Sequence, residues 1–561
     1  DRLSAYNRGR YQVRGSALGA GFARYRLEYA PLAGAQPSGP FKRISESTRP
    51  VQDGELGAFD ASALPDGEYL LRLTTWSQFG RKSESHRRLV KDSTLVSGFP
   101  QFTAATGAPP FGPWAFWGPA SLTVADLDGD GQQEVLAMRE NTVMAWTPRG
   151  TMLPGFPLEL PRTPSPFGGY ERIPAFSLGD LDGNGDLELV VLVPKSVSPG
   201  DSAEQASPLH AWHHDGTPVA GFPSAPFPLV GAPPGAFLRL GSSFMEGQPP
   251  MVTDLDGDGR AEIVVEYGSG SWDFPRSVLF VVRGDGTVAP GWPHIINTHT
   301  PSPLLFPAVA DFDRDGRGDI FLPSNTEQGH TRLSILALDG TVQAERVLPL
   351  SHNMSARPMV GDVDGDGTPE VALQLLDATN AQYFVFDRHL PELPGWPVIV
   401  PASGMADPHF VNLDGDPALE VLFTTVLYEG DVGTFFLHAH EPDGTGISGY
   451  PVLLDRRDFG FIEMVHVPLK GSPAGGLLTF WNDWHDVREG QPWTGLMLMD
   501  PRVNALPGWP KRIGMPAVGG GYAVSEPVAG QLDIAAFNSS GQVFLWKESA
   551  TRGVSSPWAG Y

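Results

Sequence analysis

One nonapeptide returns six times in a single register, and it limits the chain to a repeat architecture. It reads Asp126-Leu-Asp128-Gly-Asp130-Gly-Gln132-Gln-Glu134, then Asp180-Leu-Asp182-Gly-Asn184-Gly-Asp186-Leu-Glu188. Further copies run from Asp254 to Glu262, Asp311 to Asp319, Asp362 to Glu370 and Asn412 to Glu420, with successive starts 54, 74, 57, 51 and 50 residues apart. Short apolar runs lie on either side, such as Val135-Leu-Ala-Met after the first copy and Ile263-Val-Val after the third. Each copy therefore reads as a loop between two strands.

A second signature closes the units: glycine, an aromatic residue and proline, beginning at Gly98, Gly155, Gly221, Gly291, Gly395, Gly449 and Gly508. Between loop and signature lies a third strand ending in a turn, as in Val143-Met-Ala-Trp-Thr-Pro-Arg-Gly-Thr, with Asp-Gly pairs at 215, 285, 339 and 443. Proline cannot donate to a sheet ladder, so the closing strand belongs at an edge. Three strands plus an outer one make a propeller blade. Two more units are degenerate. In Pro468-Leu-Lys470-Gly-Ser472-Pro-Ala-Gly-Gly476 the acids are gone and Lys470 offers a charge, and the unit around Val528 to Asp533 has a shortened loop. The fold expected is all-β, an eight-bladed propeller (seven-bladed if one degenerate unit is an insertion) over residues 93–561. The first closing signature precedes every blade and the last blade lacks one, so the segment 95–104 is expected to close the ring and hide its edges. Residues 1–92 lack the repeat, and their alternating stretches Tyr25-Arg-Leu-Glu-Tyr and Glu68-Tyr-Leu-Leu-Arg-Leu-Thr-Thr-Trp suggest a small Ig- or fibronectin-III-like β-sandwich.

The loops have the chemistry of a calcium site. Hard oxygen ligands suit Ca²⁺, which takes six to eight of them, and a glycine at position six permits the sharp turn. Positions one, three, five and nine carry Asp126, Asp128, Asp130 and Glu134; Asp180, Asp182, Asn184 and Glu188; Asp254, Asp256, Asp258 and Glu262; Asp311, Asp313, Asp315 and Asp319; Asp362, Asp364, Asp366 and Glu370; and Asn412, Asp414, Asp416 and Glu420. Position seven offers a backbone carbonyl, from Gln132, Asp186, Arg260, Arg317, Thr368 and Ala418. The last copy is the weakest, because Asn412 opens it and Pro417 replaces the glycine. These positions hold 22 carboxylates, so five or six calcium ions are expected, stiffening the loops structurally. Arg317-Gly-Asp319 spells an adhesion tripeptide, but Asp319 sits at a ligand position and is expected to turn inward. His213, His214, His438 and His440 fall on or near third strands, where packing or solvent exposure is expected.

Composition excludes several classes. There is no cysteine, hence no disulfide and no thiolate metal site, and a net charge of −25 argues against nucleic acid. No apolar run reaches 18 residues, so no membrane span is expected. No Gly-x-Ser-x-Gly, His-Glu-x-x-His or phosphate loop marks a catalytic centre. The chain opens at Asp1 without a signal peptide, which suggests a processed piece of a longer precursor.

Loops of this kind at this period resemble the FG-GAP/VCBS repeats of integrin α chains and of many bacterial secreted proteins. The resemblance covers residues 95–548 and implies a secreted or cell-surface location, calcium loops on one face and a ligand on the other. The front segment, with Leu64-Pro-Asp-Gly-Glu-Tyr69, is similar to accessory segments of bacterial secreted subtilisin-like proteases. A catalytic domain of the same precursor is therefore one expected partner. On the far face, Trp114, Trp117, Trp272, Trp481, Trp484 and Trp493 stand among polar residues and are the ligand candidates, suited to protein or glycan recognition, the alternative being that they plug the ring centre or pack between blades. The reading is a binding or accessory module without catalysis of its own. The alternative is a polysaccharide lyase, since some rhamnogalacturonan lyases resemble this plan, but their substrate calls for a basic cleft, and the chain is acidic.

Overall fold

The computed structural model describes residues 3–6, 10–33, 36–102, 122–139, 141–161, 176–193, 208–224, 238–239, 249–269, 276–297, 306–349, 357–376, 380–402, 404, 406–430, 432–458, 464–469, 472–483, 493–514, 522–528, 531–538 and 542–549. Among them there is no helix long and apolar enough to cross a membrane, and every regular element is a strand.

Period-two patterning builds the front region. In strand Phe22–Ala33, Tyr25 and Leu27 point inward; in Gly67–Ser77, Tyr69 and Leu71 do. Leu3–Tyr6, Lys82–Lys91, Gly67–Ser77 and Phe22–Ala33 lie side by side, and Lys42–Ser47 pairs with the last of them. Arg10–Ala17 and Val51–Asp60 form a second sheet. The two sheets share one core, with Ala17, Leu56 and Phe59 packed against Tyr25, Leu27 and Leu71.

From Leu95 onward the described residues form eight further sheets, most of them four-stranded meanders. Their second strands read as unbroken apolar runs because both faces are covered. In Glu134–Arg139, Leu136 and Met138 pack against Leu189 and Val191 of the next sheet. Val135 and Ala137 pack instead against Ile534 and Phe544 of the last sheet. The same alternation links each sheet to its successor, through Val190 with Ile263, Val264 with Ile320, Phe321 with Val371, Ala372 with Val421, Leu422 with Leu477 and Leu478 with Ile534. The chain is thus a β-propeller whose last sheet returns to its first. Gln101–Phe102 supplies the outer strand of that last sheet by pairing with Gln542–Ser549.

The glycine–aromatic–proline signature has a role that the edge-strand argument leaves out: it latches neighbouring sheets. A Cβ on Gly155, Gly291 or Gly395 would overlap the carbonyl oxygen of Asp215, Asp339 or Asp443 in the next sheet's turn. The aromatic side chain then caps that turn. Trp292 Nε1 donates to the Leu338 carbonyl at 2.6 Å, Trp396 Nε1 to Pro442 at 2.8 Å and the Tyr450 hydroxyl to Pro501 at 2.7 Å.

The two regions join through buried contacts. Asp92 accepts from Trp546 Nε1 at 2.9 Å and faces Lys511 Nζ at 3.4 Å, while Lys511 donates to Thr94 at 2.7 Å. Lys511 is only 5% exposed, so the junction is held by a desolvated ion pair.

Candidate metal loops and the opposite face

Each acidic loop is fixed to the core before any ion is considered. The apolar residue at position two is buried at Leu127, Leu181, Leu255, Phe312 and Val363. Its N–H donates to the ninth-position carboxylate: Leu127 to Glu134 at 2.9 Å, Leu181 to Glu188 at 2.7 Å, Leu255 to Glu262 at 2.9 Å, Phe312 to Asp319 at 3.2 Å and Val363 to Glu370 at 2.8 Å. The glycine N–H at position six reaches back to the first acid, at 2.8 to 2.9 Å in the first five loops. The fifth-position side chain caps the N–H of position seven, at 2.6 to 2.8 Å in all six.

These bonds gather oxygen atoms that have too few donors. Ligand atoms of Asp126, Asp128 and Glu134 lie within 4.8 Å of one another, as do those of Asp254, Asp256 and Glu262, of Asp311, Asp313 and Asp315, and of Asp362, Asp364 and Glu370. Oδ1 of Asp126 and Oδ1 of Asp362 are buried without a hydrogen-bond donor. An unsatisfied buried carboxylate oxygen is costly unless a cation meets it. Burial, followed by the neighbouring aspartates, pushes Glu134, Glu262 and Glu370 up to about 7 and Asp319 up to about 6. Glu188 and Glu420 are raised for the same leading reason. Asp319 is buried, so the tripeptide Arg317-Gly-Asp319 does not present its acid to solvent.

Adjacent loops are also tied to one another. The position-eight N–H donates to the preceding loop at Leu187 to Leu127, Ala261 to Asp180, Gly318 to Leu255 and Leu419 to Val363, at 2.7 to 2.9 Å. The fifth loop has Pro369 at that position and no N–H to give. There Arg314 of the fourth loop, at φ 61° where the other loops hold glycine, reaches the Asp366 carbonyl at 2.8 Å and the Thr368 hydroxyl at 2.6 Å. In the sixth loop Asn412 accepts from Gly415 N–H at 2.6 Å and donates to the Asp416 carbonyl, and Leu413 N–H donates to Glu420. The eighth sheet uses a lysine: Asp533, fully buried, meets Lys547 Nζ at 2.8 Å. Lys470 of the seventh unit lies outside the described residues.

His213, expected to pack or face solvent, is partly exposed and also meets a loop acid. Its Nδ1 stands 3.0 Å from Glu188 Oε1, and it joins Asp182 and Glu188 in one cluster. No spacing rule points to it, because it comes from the end of the third strand, 25 residues beyond Glu188. His438 does pack, stacked on Phe423 at 5.0 Å and bonded to Thr425 at 2.9 Å, and His440 stacks on the same ring at 5.3 Å.

The connections from second to third strand, and from outer strand to the next sheet, run at the end opposite the acidic loops. Trp114, Trp117, Trp272 and Trp484 lie outside the described residues, as do the side chains of Trp481 and Trp493, whose backbones pair with Gly495 and Asp483. The described part of that end carries a pair that sequence reasoning missed. Asp407 accepts from the Arg357 N–H at 2.8 Å and faces its guanidinium at 3.8 Å, and Arg357 lies 6.0 Å from the Phe306 ring. Beside it, Gln374 bonds Tyr383 at 2.9 Å, and Tyr383 donates to the Thr424 carbonyl at 2.8 Å, in a fully buried network.

Residues 126–191 and 250–322 match the family described as FG-GAP-like repeat. No curated protein matches the sequence. Among solved structures, the WD40 domain of SCAP from fission yeast is similar at 10% identity and a TM-score of 0.41, covering 77% of this chain and 96% of that one. The biofilm matrix protein Bap1 of V. cholerae is similar at 11% identity and a TM-score of 0.32, covering 83% and 92%. The SapL1 lectin in complex with alpha methyl fucoside aligns at 11% identity and a TM-score of 0.27, covering 60% and 96%.

Proposed function

We propose that this chain is a calcium-stabilised FG-GAP-type propeller of eight blades that serves as a binding or accessory module outside the cell. One observation carries the calcium reading: carboxylate oxygens converge in successive loops of one geometry, and in two loops a buried oxygen has no donor. The donor set is all oxygen in the first, third, fourth and fifth clusters, as a hard cation requires. Calcium supplies charge compensation and a rigid strut there. The loop's own carboxylates and backbone carbonyls would supply most of its ligands, which favours a structural role. Asp126, Asp254, Asp311 and Asp362, with their loop partners, would hold the ion, with Glu134, Glu262, Asp319 and Glu370 as the candidate ninth-position ligands.

The ligand surface is read as the end opposite these loops, to which the sequence reading assigns the tryptophan candidates. A protein or a glycan is the partner class, and the front region is read as an Ig-like accessory domain of the kind found beside secreted proteases. Metal analysis of the purified chain tests the first part: five or six calcium ions per molecule, with melting lowered on chelation, are expected. One ion or none, with unchanged melting, overturns it. For the second part, Trp114→Ala combined with Trp484→Ala should abolish binding on a glycan or secreted-protein array without altering the calcium content.

A further inference from the structure

The second loop is built unlike the others. Asp180 has both carboxylate oxygens on backbone, Oδ1 accepting from Gly183 at 2.7 Å and Asn184 at 3.1 Å and Oδ2 from Gly185 at 2.8 Å, a pattern shared by Asp254 and Asp311, so the difference lies in the remaining ligands. Position five is Asn184, an amide where the other five loops have an acid. The ligand atoms that come within 4.8 Å of one another here belong to Asp182, Glu188 and His213. An imidazole therefore takes the place that a loop aspartate holds elsewhere.

The fold determines where that imidazole comes from. In seven of the eight propeller sheets the third strand ends in a turn whose first residue donates its N–H to the carbonyl four residues on, as in His213 to Thr217 at 2.8 Å. The same position is Thr147, Arg283, Ala337, Asp387, Glu441 and Asp500 in six other sheets. Among these seven, His213 alone brings a nitrogen ligand. Glu188, which it meets at 3.0 Å, is fully buried and also receives the Leu181 N–H at 2.7 Å, so the pair is held from two sides. A second imidazole stands at the rim, with His214 Nδ1 3.0 Å from Asp186 Oδ2 at position seven.

We propose that the second loop is a mixed nitrogen–oxygen site for a first-row divalent transition ion, set among loops that take calcium. The inference rests on the calcium reading of the other loops. Calcium binds oxygen ligands and gains little from an imidazole, whereas the affinity of a nitrogen-containing site rises along the series from manganese to copper. Neutral His213 gives its lone pair to the ion.

The test uses the whole chain and cobalt(II) as the probe. Protein stripped with a chelator is dialysed against excess calcium with a small amount of cobalt, and both metals are counted while the visible spectrum is recorded. One cobalt per chain beside the calcium ions, with a ligand-field spectrum, is expected. His213→Ala and His213→Gln should each lose that cobalt and keep the remaining calcium and their melting temperature; the glutamine variant retains a donor for Glu188 should alanine disturb the fold. No cobalt retained against calcium overturns the inference and leaves the calcium reading intact, because the His213–Glu188 contact is then an ordinary hydrogen bond. Cobalt retained equally by both variants also overturns it. Absence of both metals overturns the parent reading instead.

Discussion

The front region and the propeller solve the same problem, holding strands together, with opposite charge economies. Of the 39 basic residues 15 fall in residues 1–92, with 10 of the 64 acids, so that segment carries +5 and the rest of the chain −30. In the front region many charges meet opposite charges close by: Arg72 meets Glu28 at 2.9 Å, Lys82 meets Glu84 at 2.6 Å, and Arg24 meets Glu46 with its guanidinium 4.1 Å over Trp76. In the propeller the acids are crowded onto one another, and few cations of the chain stand among them. The difference shows where stability resides. The front region balances charge with its own residues, whereas the propeller's loops, on the reading proposed above, take a cation from solution.

Metal removal should separate the two most strongly. Chelation is expected to lower the propeller's melting temperature on the order of 10 °C, since each site contributes roughly 2.7 kcal/mol at a hundredfold excess over its dissociation constant. Hydrogen exchange followed by mass spectrometry would show the effect by region: peptides around residues 126–420 lose protection, and those within 22–89 keep it. Equal loss in both would mean that the buried Asp92–Lys511 junction couples them into one cooperative unit.

The eighth sheet sharpens the comparison from within the propeller. Lys547→Met strands the buried Asp533 and should cost about 3 kcal/mol, the usual scale for breaking a buried pair. Because the Lys547 ammonium belongs to the chain itself, the loss in denaturant melts should be the same with calcium and with chelator.

Glu262→Gln should change sign between the two conditions. In the metal-free chain burial and Asp256, Asp254 and Asp258 raise Glu262 from 4.5 to about 7. A carboxyl raised in this way contributes stability that is fully present below 4.5 and is lost as pH rises through 7. At pH 8 in chelator the glutamine variant should therefore melt higher than the parent, by at most roughly 3 kcal/mol; in calcium, having lost a ligand, it should melt lower. The parent in chelator should likewise gain stability from pH 8 toward pH 5. His409 acts in the opposite direction: burial depresses it to about 4, so its contribution is present above 6.5 and fades as pH falls through 4.

The smallest effect belongs to the front region. Arg24→Ala removes a partly exposed ion pair and a ring contact, and should cost under about 1 kcal/mol in urea melts, with no dependence on calcium.

The parts legible in the sequence are those whose physics is local. The loop's acids and glycines recur at fixed spacing because one ion or one turn dictates every position within nine residues. The apolar runs could be read as strands, though not that their odd and even residues serve different neighbours, as Val135 and Leu136 do. The closing signature could be recognised but not explained, since Gly155 meets the carbonyl of Asp215 only after two sheets have stacked. Nor could spacing identify Arg314 as the substitute for the N–H that Pro369 lacks.

By itself, then, the sequence determined the all-β class, the repeat, the acidic loops and the absence of thiolate chemistry, because each is a matter of residue type at short range. Tertiary structure alone decided that His213 meets Glu188, that Lys547 neutralises Asp533, that Arg357 meets Asp407 and that Asp92 is sealed by Trp546 and Lys511. Those pairs lie between 14 and 454 residues apart. Pairing of neighbouring strands sets His213 beside Glu188 and Lys547 beside Asp533, while the stacking of sheets around a ring brings the other pairs together, and no pattern within one strand or one loop encodes either.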